Sequence, residues 1–388
     1  MKYLLLFIIF FNLYAIDIKN FNKFKSCYGN ENRTTDNKTF NNDGYLIEFD
    51  TYTDITFNDY ISINNTLNFT KHSNIQSKTF GETLKSQHFF EISELIFNVY
   101  LTPSNIFSIG IFSFKNGAFS EHSGSGIRMS DALTTIYYLN MTGTFFTHHI
   151  DENNKIQIGY GKRIDDIYKL PEDRYDDTRN GSDISYLFIT NKFKKHNIIF
   201  NASTSNIIYE KISNNKELRN FGKMLVTGVG YQYDDLDTSG IIYYGILAGS
   251  VSDFDGTVLT PDDKEFINNN YKFSDEGQQF GYSSLFGIKK EIDSGIFNLD
   301  SFIGIEYFYS SPYWISYSVD SLNIDGYGWG NNGNIYKFYA GVNITPKIKL
   351  GFVGRYEDLN SVKIPGGNSV KESDDKIFRQ YLKLDIVF

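Results

Sequence analysis

The chain has 388 residues, 46 acidic against 37 basic side chains, a formal net charge of −9 and a mean hydropathy of −0.34, an acidic balance that argues against nucleic-acid binding. It is polar on average yet 17% aromatic, with 29 Tyr, 35 Phe, 32 Gly and only 6 Pro, a mixture that a soluble globular core rarely needs. The single cysteine, Cys27, excludes an internal disulfide.

In chain order, Lys2 precedes the apolar run Leu4 to Phe11 and then Leu13-Tyr14-Ala15, the pattern of a secretory signal peptide over residues 1–15 with a small residue at its cleavage point. The run is too short to cross a bilayer as a helix, which takes about 20 apolar residues. Cys27 follows Lys25-Ser26 instead of small apolar residues, so a lipid anchor is not expected. Residues 16–388 are expected to form one domain. Ile16 to Tyr28 alternates poorly and has two readings: a first strand with residues 29–43 as its outer loop, or a segment that plugs an interior.

From Tyr45 the alternation is strong. Tyr45, Ile47, Phe49, Ile55 and Phe57 oppose Glu48, Asp50, Asp54 and Thr56; after a turn at Asn58-Asp59, Ile61, Ile63, Leu67 and Phe69 oppose Ser62, Asn64, Thr66 and Asn68. This is a hairpin with one greasy and one wet face. Further short turns are expected near Thr102 to Asn105, Asp151 to Asn154, Lys194-Lys195, Asp234 to Thr238, Ile292 to Ser294 and Thr345 to Lys347. Longer polar stretches separate the hairpins near 72–86, 116–136, 165–180, 211–218, 253–275, 311–332 and 358–375. Counting Ile16 to Tyr28 as a strand predicts an all-β, antiparallel transmembrane barrel of about 16 strands, with short periplasmic turns, long extracellular loops and polar lumen.

Residues 116–136 are then the third outer loop. Its glycines allow tight bends, and Glu121, His122, Arg128 and Asp131 are the candidates for charge at a channel constriction. In Lys155 to Arg163, Ile156, Ile158 and Tyr160 form the apolar set, which places Lys155, Gln157 and Arg163 towards the lumen. The last strand has Phe378, Leu382, Leu384, Ile386 and Phe388 on one face and Arg379, Tyr381, Lys383 and Asp385 on the other, with Val387 as the one apolar break.

That alternating strand, ending on Phe388, resembles the terminal strand of Gram-negative outer-membrane β-barrels, distantly of the general-porin type, although Lys383 stands where the pattern usually has Gly. The resemblance implies a location in the cell outer membrane, among its lipids and lipopolysaccharide. It also implies that Phe388, Ile386 and Leu384 form the signal read by the barrel assembly machinery, and that the chain forms a homotrimer. The function it implies is passive diffusion of small hydrophilic solutes or ions through a water-filled barrel. Two other readings stay open: a substrate-specific transporter with an N-terminal plug, and a structural or adhesive surface barrel.

Enzymatic motifs are thin, and no enzyme, cofactor or metal site is expected. There is no phosphate loop, paired-cysteine site or GxSxG elbow. Asp253-Phe254-Asp255-Gly256 begins like a calcium loop, but Thr257-Val258-Leu259 breaks the ligand series. His148-His149 lies just before a periplasmic turn, on the wrong side for a hydrolase site facing outward.

Overall fold

A sheet of strands with one greasy and one wet face leaves unpaired backbone at its edges unless it closes on itself. In the computed structural model sixteen antiparallel strands close in this way. The structure describes residues 17–35, 38–73, 87–116, 137–163, 183–205, 209–212, 217–220, 222–254, 277–293, 298–312, 314, 332–363 and 370–388. The strands are β1 (Asp17–Thr35), β2 (Lys38–Asn58), β3 (Ile61–Ser73), β4 (Gln87–Thr102), β5 (Asn105–Asn116), β6 (Tyr137–His149), β7 (Asn154–Arg163), β8 (Asp183–Phe193), β9 (His196–Ser205), β10 (Tyr209–Ile212), β11 (Glu217–Asn220), β12 (Gly222–Asp235), β13 (Ile241–Phe254), β14 (Gly277–Ile292), β15 (Asp300–Ser310), β16 (Asn332–Thr345), β17 (Ile348–Lys363) and β18 (Val370–Val387), with one helical turn, α1 (Leu236–Ser239), between β12 and β13. Neighbours in sequence are neighbours in the wall, and β1 pairs with β18 to close it. β10 and β11 form a separate hairpin between β9 and β12. No helix among the described residues is long and apolar enough to cross a membrane.

Burial separates the two faces. In β18, Ile377, Tyr381, Lys383 and Asp385 are buried, whereas Phe378, Leu382 and Phe388 are 42%, 53% and 55% exposed. In β13, Ile242, Tyr244, Ile246, Ala248, Ser250 and Ser252 are buried while Tyr243 and Leu247 are exposed. The exposed face, which also carries Leu95, Ile109, Ile158, Phe200, Phe286, Ile305, Phe338 and Phe352, is the convex outside of the barrel. Aromatic groups bracket that apolar face. Tyr233 stacks on Tyr243 (4.8 Å) beside His196 near the short-turn end, and Tyr336 lies 5.1 Å from Tyr307 and 6.3 Å from Tyr356 further along the strands.

The tight connections at Asp59–Tyr60, Pro103–Ser104, Lys194–Lys195 and Pro346–Lys347 share one end with both described chain ends. Local side-chain bonds shape them. Asn58 accepts the Tyr60 N–H (2.8 Å), and Asp151 accepts from the Asn154 amide (2.6 Å) and the Asn153 N–H (2.8 Å), which together hold the Asp151 carboxyl below its ordinary range.

Four expectations are corrected. Residues 29–35 and 38–43 do not form the expected outer loop of 29–43, because β1 and β2 stay in register from Asp17↔Thr56 to Thr35↔Lys38. Nor does the segment plug the interior, since β1 is a wall strand paired on both sides. The reason is length: a strand crosses a bilayer in roughly 9–11 residues, so β1 and β2, with 19 and 21, continue past any apolar belt and need no apolar face there. The last outer connection shrinks likewise, from the expected 358–375 to the gap between Lys363 and Val370. The first turn falls at Asp59–Tyr60, one residue later than expected.

Inside the wall, aromatic rings lie over glycines of the adjacent strand. Gly304 pairs with Tyr339 and Gly287 with Tyr244, and a Cβ on either glycine would come within 2.2 Å of the ring. The missing side chain makes room for the ring, and the ring covers backbone that glycine leaves bare.

The face assignment has a direct test. Leu382→Arg sets a charge on the apolar outer face and should cost about 2–4 kcal/mol if the site lies near the bilayer midplane. Lys383→Gln, one residue along and facing inward, should cost less. Unfolding titrations of the reconstituted barrel that show equal losses would overturn the assignment.

Candidate functional site

The inward face of β14 to β1 is built on rows of paired positions. One row of cross-strand partners runs Gly287, Glu306, Lys337, Arg355, Arg379 and Glu31, so five successive strands each set one ionisable side chain on the interior. Arg355 and Arg379 are direct partners across β17 and β18, which brings two cations together. Glu357, with no exposed side-chain surface, offsets both, at 2.6 Å from Arg355 and 3.3 Å from Arg379. Arg379 Nε also donates to Glu31 (2.6 Å). Lys337 lies 3.5 Å from Glu306, and the Tyr244 hydroxyl donates to the same carboxylate. Tyr244 reaches it across β14 because Gly287 lies between.

A second row, nearer the short turns, contains Asp300, Asn343, Lys349, Asp385, Lys25 and Glu48. Lys25 pairs with Glu48 at 2.9 Å and Lys383 with Asp385 at 3.7 Å. Between the rows lie Tyr339, Val353 and Tyr381. On β2 to β5 the chemistry changes. Carboxylates there are met by amides and hydroxyls: Asn64 and Asn68 donate to Asp54 and Asp50 (both 2.6 Å), Tyr52 to Asp50 (3.1 Å) and Thr66 to Glu94 (3.2 Å). Asn98 continues the network to Asn64 and Ser108. From β14 to β1 the inward charges are paired with one another, whereas on β2 to β5 carboxylates accept from amides and hydroxyls, so one wall carries two kinds of polar surface.

No protein-family model matches the sequence, and no curated protein matches it. Solved structures are similar over nearly the whole chain. OprB of Pseudomonas putida shares 10% identity with a TM-score of 0.59, covering 96% of this chain and 94% of that one. An anion-selective porin from Comamonas acidovorans shares 7% with a TM-score of 0.55, covering 96% and 100%. Salmonella typhi OmpF shares 10% with a TM-score of 0.54, covering 96% and 97%. The fold is therefore that of a porin-like outer-membrane barrel.

The residues singled out in the sequence fall in several places. Arg379, Lys383 and Asp385 stand on the inward face of β18, joined to the rows above. Lys155 and Gln157 share the inward face of β7, half-buried, with the Lys155 ammonium 5.9 Å from the Phe188 ring. Arg163 ends β7 opposite Met141, and its side chain lies outside the described residues. Glu121, His122, Arg128 and Asp131 lie outside them altogether. Leu384, Ile386 and Phe388 follow the outward face of β18. Phe388 closes the seam through its N–H to the Asn22 carbonyl (3.0 Å) and its carbonyl from the Asn22 N–H (2.8 Å), with its ring 6.1 Å from Phe49. Among the described residues no group of three His, Cys, Asp or Glu is arranged to hold a metal ion.

Sequence reasoning missed Glu306, Lys337, Arg355, Glu357 and Glu31. Alternation around Lys349 to Glu357 was signal enough for the third and fourth, since Leu350, Phe352 and Tyr356 mark the opposite face. Glu31 lay in a stretch without apolar period, and nothing local marked it.

Glu357→Gln removes the acid between two arginines. Stranding a buried charge typically costs about 3–5 kcal/mol, so the thermal or denaturant midpoint of the folded barrel should fall well below the parent's. A midpoint unchanged from the parent would mean that water, not Glu357, compensates Arg355.

Proposed function

We propose that the chain is a porin of the Gram-negative outer membrane and lets small hydrophilic solutes or ions diffuse passively through its lumen. The observation that carries this reading is a closed sixteen-strand barrel whose outward face is apolar and whose inward face bears rows of ionised side chains. Lipid accepts the first face, and only water or an ionic partner accepts the second. The porins that share the fold support the reading. In this account residues 1–15 direct export, the assembly machinery reads Leu384, Ile386 and Phe388, and lipids and lipopolysaccharide surround the outer face. Three copies form the working unit; OmpT of Vibrio cholerae in its trimer form has a similar barrel, at 11% identity and a TM-score of 0.53. Lys155, Gln157, Arg163, Arg379, Lys383 and Asp385 line the lumen, and Glu121, His122, Arg128 and Asp131 narrow it. The chain performs no catalysis.

Planar-bilayer recording tests the channel. The folded protein should insert in discrete steps of ohmic current; a heat-modifiable, fully folded barrel that passes no current overturns the reading. Glu121→Gln with Asp131→Asn should then move the reversal potential towards anions. That shift should shrink with salt, because the Debye length drops from about 10 Å at 0.1 M to about 3 Å at 1 M. An unmoved reversal potential at low salt removes those two residues from the channel.

A further inference from the structure

The outward wall changes character across the closing seam. One row of cross-strand partners runs Phe338, Gly354, Gln380 and Asn30, from β16 to β1. Two residues further from the short turns, the next row runs Tyr336, Tyr356, Phe378 and Asn32. A third runs Asp358, Lys376 and Thr34. These positions face outward, because they alternate along their strands with the buried Arg355, Glu357, Ile377, Glu31 and Arg33. Each of the first two rows therefore passes from aromatic surface on β16 to an amide on β1.

On the β16–β17 side the wall is grooved. Gly354 forms the floor, and a Cβ there would meet nothing closer than the Phe352 ring at 3.7 Å. Phe338, Phe352, Tyr336, Tyr356 and Phe378 stand around it, all exposed, and enclose about 790 Å³, within the range of a ligand pocket. A groove that opens on the apolar face of a barrel admits hydrocarbon. Gln380 lies beside the floor, half-buried, and an amide among hydrocarbon needs a hydrogen-bond partner; the carbonyl that links an acyl chain to its headgroup can accept from it. On the β1–β2 side, Asn32, Thr34, Thr39 and Asn41 are exposed on the lengths of strand that run past the apolar belt. Amides and hydroxyls both donate and accept, which suits the hydroxyls of a sugar. Lys376 has Asp358 as its cross-strand partner, and Asp43 pairs with Asn30 nearby, so this surface offers no net positive charge to hold a phosphodiester headgroup.

We propose that the outward wall from β16 to β2 is a binding site for an acylated saccharide, a glycolipid of the outer leaflet. One acyl chain lies in the groove over Gly354, its linking carbonyl accepts from Gln380, and its sugar hydroxyls meet Asn32, Asn41 and the neighbouring threonines. The outer-leaflet placement rests on the porin reading above, which sets the long-strand end outside the cell.

Native mass spectrometry of the folded barrel in a sugar-free polyoxyethylene detergent tests it, with rough lipopolysaccharide, phosphatidylglycerol and phosphatidylethanolamine as probes. Rough lipopolysaccharide should form a one-to-one adduct, at least about tenfold tighter than either phospholipid. Gly354→Phe, which fills the groove, and Asn32→Ala with Asn41→Ala should each weaken that adduct by about tenfold, the size of one or two lost hydrogen bonds in the second case. Gly249→Phe sets the same ring on an outward glycine of β13 that also has open space above it, and should change nothing. Equal losses in Gly354→Phe and Gly249→Phe, or equal affinity for all three lipids, would overturn the proposal. So would a Gly354→Phe barrel that loses its trimers and keeps the glycolipid, since the wall would then belong to a neighbouring copy. The two asparagines are exposed beyond the apolar belt, so their variant carries the test if Gly354→Phe does not fold. Planar-bilayer current on the same preparations separates the two readings: a specific adduct without current refutes the porin and leaves the site, and current without an adduct does the reverse.

Discussion

Closure of the wall is the constraint on which everything else depends. In a hydrocarbon surrounding, a strand can satisfy its N–H and C=O groups only through its two neighbours, so one open edge would leave a whole row unpaired. Here the edge is removed by pairing β1 with β18 from Lys23↔Val387 to Thr34↔Lys376, and the Phe388 backbone adds the last bonds to Asn22. Closure also makes inside and outside distinct. Once the ring is shut, alternation along each strand sends every second side chain to the interior, and the rows of charge follow from register.

That interior is not uniform. From β14 to β1, cations and carboxylates answer one another directly, with Glu357 set against Arg355 and Arg379. Buried ion pairs of this kind add little net stability, because desolvation offsets their attraction, yet losing one partner is costly. Such a sector is held in one arrangement. From β2 to β5, Asn64, Asn68, Tyr52 and Thr66 donate to the carboxylates of Asp54, Asp50 and Glu94. Elsewhere on the interior, tyrosines and Phe302 lie over glycines of the next strand, among them Tyr244 over Gly287 and Tyr339 over Gly304.

The barrel class was legible because apolar alternation at period two is a local property. Tyr45 to Phe69 shows it over two strands, and residues 378–388 show it to the end of the chain. Where the alternation stops, legibility stops too. Residues 29–43 contain Asn30, Asn32, Asn41 and Asn42 and little apolar signal, yet 29–35 and 38–43 pair as regularly as any others because a backbone ladder does not need apolar side chains.

The sequence by itself determined the face each side chain from Phe378 to Phe388 takes, the places of the short turns to within a residue or two, and the even strand count once its first strand was admitted. Those follow from side-chain period and turn chemistry, which act over a few residues. Only the tertiary structure decided that Glu31 meets Arg379, 348 positions away, that Tyr244 crosses Gly287 to reach Glu306, and that Trp314 lies inside among apolar side chains of several strands. Those contacts depend on inter-strand register and on ring closure, which sum over the whole barrel and leave no trace in any single segment.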